Sequence, residues 1–158
     1  MAAAASSCAH AKNSLPDIYA RCPLSSSVLA LRRAIRSALL EDSALTQLLG
    51  GAHVFDEAPP GAPTPRIAFS DMQSRDWSAQ GVPGAEQLLV LTVWSGERGA
   101  RAALDIADRI VALLDEAPLE LAGHRLIDLR FVALATRREQ NGRYARADIR
   151  FRATTEAI

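Results

Sequence analysis

Residues 127–153 read IDLRFVALATRREQNGRYARADIRFRA, and their pattern of apolar and polar side chains specifies the local structure in detail. Apolar and polar side chains alternate on both sides of Asn141-Gly142, which is the period of a strand that buries one face. An Asn-Gly pair between two such runs is typical of a tight turn. The stretch therefore predicts a β-hairpin with one apolar face. The other face is rich in arginine and carries Arg130, Asp148, Arg150 and Arg152.

The register of this hairpin depends on the length of its turn. A two-residue turn at Asn141-Gly142 would place Phe131 opposite Arg152 and mix apolar with charged side chains. A three-residue loop, with Gly142 in the left-handed conformation, restores the match, because a one-residue shift moves every side chain to the other face. The apolar pattern therefore favours the three-residue loop. It predicts the cross-strand pairs Phe131–Phe151, Ala133–Ile149, Arg130–Arg152 and Asp128–Thr154.

Two upstream segments have the period of amphipathic helices. Apolar residues recur every three or four positions between residues 27 and 40, and again between residues 98 and 114. Asp42 or Ser43 can cap a short helix at residues 44–49, which Gly50 ends. The predicted strands are residues 54–55, 66–72 and 86–94, and the predicted loops are residues 57–65 and 73–85.

These elements together predict an α+β fold. We expect an antiparallel sheet of about four to five strands with two main helices packed on it. Residues 86–94 are apolar on both faces of the pleat, which predicts a strand that is covered on both sides. Residues 24–158 are expected to form a single domain, and residues 1–23 a disordered or loosely attached extension.

The whole chain is electrically neutral, with 18 basic and 18 acidic residues among 158. This balance excludes a strongly basic nucleic-acid-binding protein, and a hydrophobic fraction of 49% argues against an intrinsically disordered chain. No apolar run in the sequence approaches the roughly 18–20 residues of a membrane span. The charge is uneven, however: residues 125–156 hold eight arginines against four acids, while residues 24–124 have a net charge of −5. The sequence thus predicts a basic hairpin on an acidic remainder.

Both cysteines, Cys8 and Cys22, lie in residues 1–23. With His10 they supply one ligand too few for a metal site, on a segment without hydrophobic periodicity, so free thiols in a reducing compartment are favoured. The segment has neither the cationic start nor the apolar core of a secretory signal. The sequence therefore predicts no disulfide and no metal site at these residues.

The sequence contains no G-x-S-x-G elbow, no glycine-rich phosphate loop and no H-E-x-x-H helix. Four acids could still pair in three dimensions as a general acid and base. They are Asp71, Asp76, Glu86 and Glu97. Trp77, which follows Arg75-Asp76 in a predicted loop, is either folded back onto the core or an anchor for a partner.

Several short motifs together resemble a known family. They are VFDEAPP (residues 54–60) running to IAF (67–69), SRDWS (74–78), GAEQL (84–88) through VWS (93–95), and LAGHRL (121–126) running to Phe131. Their order and spacing resemble the tail-completion, or tail-terminator, proteins of gene transfer agents and long-tailed phages. The resemblance covers about residues 28–156 and leaves residues 1–23 outside the pattern.

This resemblance implies a small α+β subunit that forms a homo-hexameric ring on the finished tail tube. The ring would stop polymerisation of the tail tube protein and present a surface to the head–tail connector protein. DNA would meet it only by passing through the lumen, with no membrane, no catalysis and no cofactor involved. The subunit would be cytoplasmic during assembly and then part of the virion tail. From the residues alone, a small α+β enzyme and a dimeric ligand-binding or regulatory module remain alternatives.

A ring requires each copy to contact the next through two different patches, and the uneven charge can supply them. We expect Arg130, Arg150 and Arg152, with Asp148 on the same face, to meet either an adjacent subunit or the lumen. The loops at residues 57–65 and 73–85 are expected to contact the tail tube or the connector. The second loop carries Arg75, Asp76 and Trp77.

Overall fold

The computed structural model describes residues 24–96, 100–139 and 142–158, with the side chains of residues 24–26 left aside. In chain order the elements are α1 (Leu24–Glu41), α2 (Ser43–Leu49), β1 (Val54–Phe55), β2 (Arg66–Asp76), β3 (Gly84–Ser95), α3 (Arg101–Leu114), β4 (His124–Arg138) and β5 (Ala145–Ala157). The predicted α+β class is confirmed. The expected extension at residues 1–23 lies outside the described residues, as do Cys8, His10 and Cys22.

The five strands form one sheet in the order β1-β2-β3-β5-β4. β2, β3, β5 and β4 are antiparallel neighbours, as predicted. β1 departs from the expectation, because it pairs in parallel with β2. The proline-rich residues 56–65 return the chain to the same end of the sheet before β2 begins, which a tight hairpin could not do. The sheet is therefore mixed, with β1 and β4 at its edges.

The helices cover one face of this sheet. α1 packs on β1, β2 and β3, whereas α3 packs on β3, β4 and β5. Both main helices are confirmed where they were predicted; α3 is described from Arg101, since residues 97–99 lie outside the described residues. The fully buried side chains between the two layers include Leu31, Ile35, Leu39, Leu89, Leu91, Ile106, Ile110, Leu114 and Phe151.

In the part of the chain that the structure describes, helices cover β3 on one side only, so the expected cover on both sides is wrong for these residues. Leu89, Leu91 and Val93 point into the core and are fully buried. Leu88, on the opposite face, is 43% exposed, and Val90 is half-buried. Within the described residues, Leu88 and Val90 on this second face are thus left partly accessible to solvent.

The predicted loop at residues 73–85 is too long. β2 continues to Asp76 and β3 begins at Gly84, so residues 77–83 alone form the turn. A bulge between Phe69 and Asp71 interrupts the alternation. The last residues of β2 are polar and largely exposed, so no apolar period marked them as a strand.

Between Asp128 and Arg138 the β4–β5 hairpin uses both of the registers that the turn allowed, and a further bulge between Leu126 and Asp128 shifts the pairing once more. In the half farther from the turn, Phe131 faces Phe151, and the pairs Arg130–Arg152 and Asp128–Thr154 are also as predicted. In the half nearer the turn, Ala133 faces Arg150, so the predicted Ala133–Ile149 pair is wrong.

The extra residue that reconciles the two registers is Val132, in the middle of β4. A bulge adds one residue to one strand and shifts the pairing beyond it by one position. The apolar pattern required such a shift, but it could not tell a bulge in the turn from a bulge in the strand. Gly142 has the positive φ of 59° that was expected, while Gln140 and Asn141 lie outside the described residues.

The segment after α3 covers part of the outer edge of β4. The Asp115 carboxylate accepts a hydrogen bond from the backbone N–H of Phe131 at 2.9 Å, and the N–H of Glu116 donates to the carbonyl of Leu129 at 2.8 Å. From Val132 onward β4 runs beyond this cover, and residues 134–138 are exposed. Among the described residues, one half of the β4 edge is therefore covered and the other half is not.

Asp42 joins α2 to α3. Its carboxylate caps α2 by accepting from the backbone N–H of Leu45 at 2.9 Å, so Asp42, and not Ser43, is the cap. The same carboxylate accepts two hydrogen bonds from the Arg109 guanidinium, at 2.8 and 2.7 Å. These bonds from Arg109 hold the pKa of Asp42 below its usual value, against the opposing effect of burial.

Candidate interaction surface on the open face of the sheet

We call the face of the sheet opposite the helices the open face. Arg130, Asp148, Arg150 and Arg152 all lie on it, as the alternation of the hairpin predicts. Because alternate residues of adjacent strands share a face, this surface also takes in Arg75 and Glu86 at one end of the sheet. The predicted interface residues of the hairpin are therefore brought together by the fold.

Arg130 and Arg152 are neutralised within the chain. They are cross-strand partners, which would be unfavourable for two like charges on their own. Asp128 lies between them, 2.9 Å from Arg130 Nε and 3.9 Å from an Arg152 nitrogen. Glu116 pairs with the other side of Arg130. The hydrogen bond to Asp128, followed by the charges of Asp128 and Glu116, raises the pKa of Arg130.

Arg150 differs from these two arginines, since it forms no ion pair within the described residues. It borders a shallow groove of about 300 Å³ that Leu88, Val90 and the bulged Val132 also line. Val132 is 53% exposed. An unpaired guanidinium beside exposed aliphatic side chains is a typical composition for a protein–protein contact.

Asp148 is buried despite its place on the open face. Its Oδ1 accepts from the Thr92 hydroxyl at 2.8 Å and from Arg146 Nε at 2.8 Å. The Thr92 hydroxyl is in turn within hydrogen-bond contact of Ser70. Asp148 therefore links β5 to β3 and, through Thr92, to β2, and little of its carboxylate is accessible to a partner.

Arg75, Asp76 and Trp77 lie at the β2–β3 turn. Arg75 forms an ion pair of 2.6 Å with Glu86, and Asp76 accepts from the backbone N–H and the hydroxyl of Ser78. The Trp77 ring lies against Gly84, where an added Cβ would come within 3.2 Å of it, yet 44% of the residue is exposed. One side of Trp77 thus rests on the chain and the other is accessible to solvent, while its role as an anchor for a partner stays a prediction.

A second arginine cluster on the open face could not be predicted from the alternation of the hairpin. Arg66, Trp94, Arg146 and Arg137 are successive cross-strand partners on β2, β3, β5 and β4. The Arg66 and Arg146 guanidiniums lie 5.4 and 5.3 Å from the centroid of the Trp94 ring. Tyr144 meets the same ring edge-on. The row is visible only in the true register, because the predicted one would have placed Arg137 opposite Ala145.

The model of the family described as "Tail completion protein gp17" matches residues 33–156. The chain belongs to this family. Among solved structures, this tail completion protein is similar to a chain of the "Virion of native gene transfer agent (GTA) particle", with 29% identity and a TM-score of 0.77 over 84% of this chain and 98% of that one. It also shares its fold with bacteriophage SPP1 gp17, at 23% identity and a TM-score of 0.53 over 80% of this chain and 88% of that one. No curated protein sequence matches the chain.

The acids of this tail completion protein that could have formed an acid–base pair are engaged by other side chains. Glu86 pairs with Arg75, Asp76 with Ser78, and Asp71 accepts from Gln73. Glu97 lies outside the described residues. Within the described ranges, no three histidine, cysteine, aspartate or glutamate side chains are grouped closely enough to hold a metal ion. No helix of the same residues is long and apolar enough to cross a bilayer.

Proposed function

We propose that this protein is the ring-forming terminator of a phage-like tail. It would cap the tail tube, stop its polymerisation and join it to the head connector, without catalysis or a cofactor. The observation that carries the proposal is the likeness to a chain of a gene transfer agent virion, which extends over 98% of that chain. The likeness thus extends over nearly the whole length of a virion subunit and is not confined to one part of it.

The surface of the chain supports assembly with other copies. The open face exposes Leu88 and Val132 beside the unpaired Arg150, and β4 leaves half of its edge uncovered. Exposed apolar side chains and an open strand edge are features of surfaces that another chain covers. We assign Arg150 to this contact. Arg130 and Arg152 would take part through their aliphatic stems, since their charges are already paired.

The connections at the two ends of the sheet are the proposed contacts with other tail proteins. Residues 56–65 form a long connection with four prolines, and residues 77–83 form a turn that presents Trp77 beside Val82. Loops that vary on a constant scaffold are where binding surfaces are usually placed. One of these two connections would contact the tail tube protein, and the other would contact the head–tail connector.

The test is the state of the purified protein alone and on tail tubes. Mass measurement in solution followed by negative-stain imaging should show six-fold rings, either free or bound to the end of isolated tubes. Particles made without this chain should contain tails of irregular length that lack heads. Tails of normal length joined to heads in the absence of the chain would refute the proposal.

A further inference from the structure

Five arginines gather at the end of the sheet where the β4–β5 turn lies. We call this group the arginine end. Its members are Arg66, Arg137, Arg138, Arg143 and Arg146. Three of them belong to the cross-strand row that includes Trp94, and Arg138 and Arg143 flank the turn. The acids that β4, β5 and their turn contribute in the same region are Glu139 and Asp148.

The positive charge of the arginine end is not balanced within the described chain. Arg137 and Arg146 are directly opposite one another, and like charges in that position destabilise a sheet. Arg146 has Asp148 as its ion-pair partner, but Arg137, Arg138 and Arg143 form no ion pair within the described residues. The other like-charged pair of this hairpin, Arg130–Arg152, is compensated by Asp128. The comparison shows that the arginine end lacks an anion that a partner could supply.

The complementary charge is present elsewhere on the same molecule. Asp105 and Asp108 are exposed on α3, three positions apart and therefore on one side of the helix. Neither forms an ion pair within the described residues. We call these two residues the α3 stripe. They belong to the helix layer, whereas the Arg66–Arg137 row lies on the open face, on the other side of the sheet.

We propose that the arginine end of one copy binds the α3 stripe of the next copy. This inference rests on the proposed ring, and it names the contact that holds the ring together. The row of Arg66, Arg137 and Arg146 points to the open face, whereas the α3 stripe lies on the opposite side of the sheet. A two-fold axis would have to turn both sides of the sheet toward the same partner, so these two patches do not suit a two-fold contact. They form a head-to-tail contact, which is the kind that closes into a ring. Arginine suits this contact because its planar fork can bind a carboxylate with two hydrogen bonds.

DNA phosphates are the other anions that such a group could bind. A second copy is favoured because two of the five guanidiniums already lie against Trp94, and because the α3 stripe supplies unpaired carboxylates in every copy. A strong phosphate contact would also oppose the passage of DNA through a ring.

Charge reversal on each side tests the contact. Arg137→Glu with Arg138→Glu forms the first variant, and Asp105→Arg with Asp108→Arg forms the second. Each variant alone should lose at least ten-fold in ring yield, because like charges would meet at every contact. An equimolar mixture should recover rings, since the two variants can alternate around a ring with an even number of subunits. Arg33→Glu with Arg36→Glu on α1 changes the net charge by the same amount and sign as the arginine variant; it is the matched control for that variant and should retain rings.

Circular dichroism of each variant first establishes that it is folded. Rings of normal yield from either folded variant alone, or a mixture that does not recover, would overturn the contact while leaving the ring itself intact. If the arginine variant forms rings but loses salt-dependent binding of double-stranded DNA, phosphates are the ligand and the proposal is wrong. A wild-type chain that stays monomeric even on isolated tail tubes would refute the proposed function together with this contact.

Discussion

At the scale of single residues, Asp42 does two things with one carboxylate. It caps α2 through Leu45 and receives two hydrogen bonds from Arg109 on α3. Asparagine can replace aspartate as a helix cap but carries no charge for Arg109. The two contributions of Asp42 can therefore be separated by one substitution.

Asp42→Asn should lower the stability at neutral pH, and the difference from the wild type should shrink as the solution is acidified. The pKa of Asp42 is lower in the folded state than in the unfolded chain. Its contribution is therefore fully present above the unfolded value of about 4 and is lost as pH falls through the folded value. Urea unfolding midpoints of both proteins between neutral pH and about pH 3 measure this. A difference that stays constant over this range would contradict the assigned role of the charge.

Phe151 and Phe131 form an edge-to-face pair, with ring centroids 6.2 Å apart, but they differ in burial. Phe151 is fully buried and Phe131 is 38% exposed. Phe151→Ala should therefore cost about 3–5 kcal/mol of unfolding free energy, because it leaves a cavity in the core. Phe131→Ala should cost only about 0.5–1.5 kcal/mol, mainly the loss of the aromatic contact. Chemical denaturation of the two variants checks the order, and equal losses would contradict the burial argument.

At the scale of elements, the β4–β5 hairpin shows how far the sequence could predict the structure. The alternation specified both strands, the arginine face and the pairing of Phe131 with Phe151. It could not locate the bulge, because Val132 is apolar and exposed and fits either position in the pattern. That single displacement hid the Arg137–Arg146 pair and with it the arginine end. Likewise β1 was expected, but its parallel pairing with β2 depends on a long connection whose path the prolines do not determine.

Deletion of Val132 should leave the fold intact. The residues on either side already pair with consecutive positions, Phe131 with Phe151 and Ala133 with Arg150, so removing the bulge would join two halves that are both in register. Melting followed by circular dichroism should show a cooperative transition within a few degrees of the wild type. Because a bulge adds local twist, the turn should point in a new direction and ring yield should fall.

Deletion of Ile149 is the control for this experiment. Ile149 lies in β5, which pairs on both sides, so its loss would shift two ladders at once and expose core residues. This variant should not fold. If the Val132 deletion also prevents folding, the bulge is required for the stability of the sheet and does more than set the direction of the β4–β5 turn.

At the scale of the whole molecule, the net charge is zero, but basic and acidic side chains are concentrated on different surfaces. Arg66, Arg137 and Arg146 of the arginine end lie on the open face, and the α3 stripe lies in the helix layer. A contact built mainly on these charges should weaken with salt, since the screening length falls from about 10 Å at 0.1 M to about 3 Å at 1 M. Ring yield measured by mass photometry should therefore fall over this range. Rings that are unaffected would indicate that Leu88, Val90 and Val132 dominate the contact.

The turn at residues 77–83 offers a second test at this scale. The backbone N–H of Trp77 donates to the carbonyl of Gly84, so these two residues can be joined by a two-residue turn. Replacement of residues 78–83 by Asn-Gly should keep the fold and the rings but reduce the joining of heads to tails. Counts of complete particles by electron microscopy measure the effect. A normal particle yield would remove this turn from the proposed contact.

The uncovered half of the β4 edge has a consequence for the subunit before it assembles. A long strand with free backbone groups and exposed Val132 and Leu134 is a template for aggregation between newly made chains. Arg137 and Arg138 stand at the open end of this strand, where charged side chains act as gatekeepers against edge-to-edge pairing. Neutral substitutions there should lower the soluble yield of the free protein. The Arg137 and Arg138 guanidiniums would then prevent aggregation of the free subunit and, during assembly on the tail, bind the α3 stripe of the next copy.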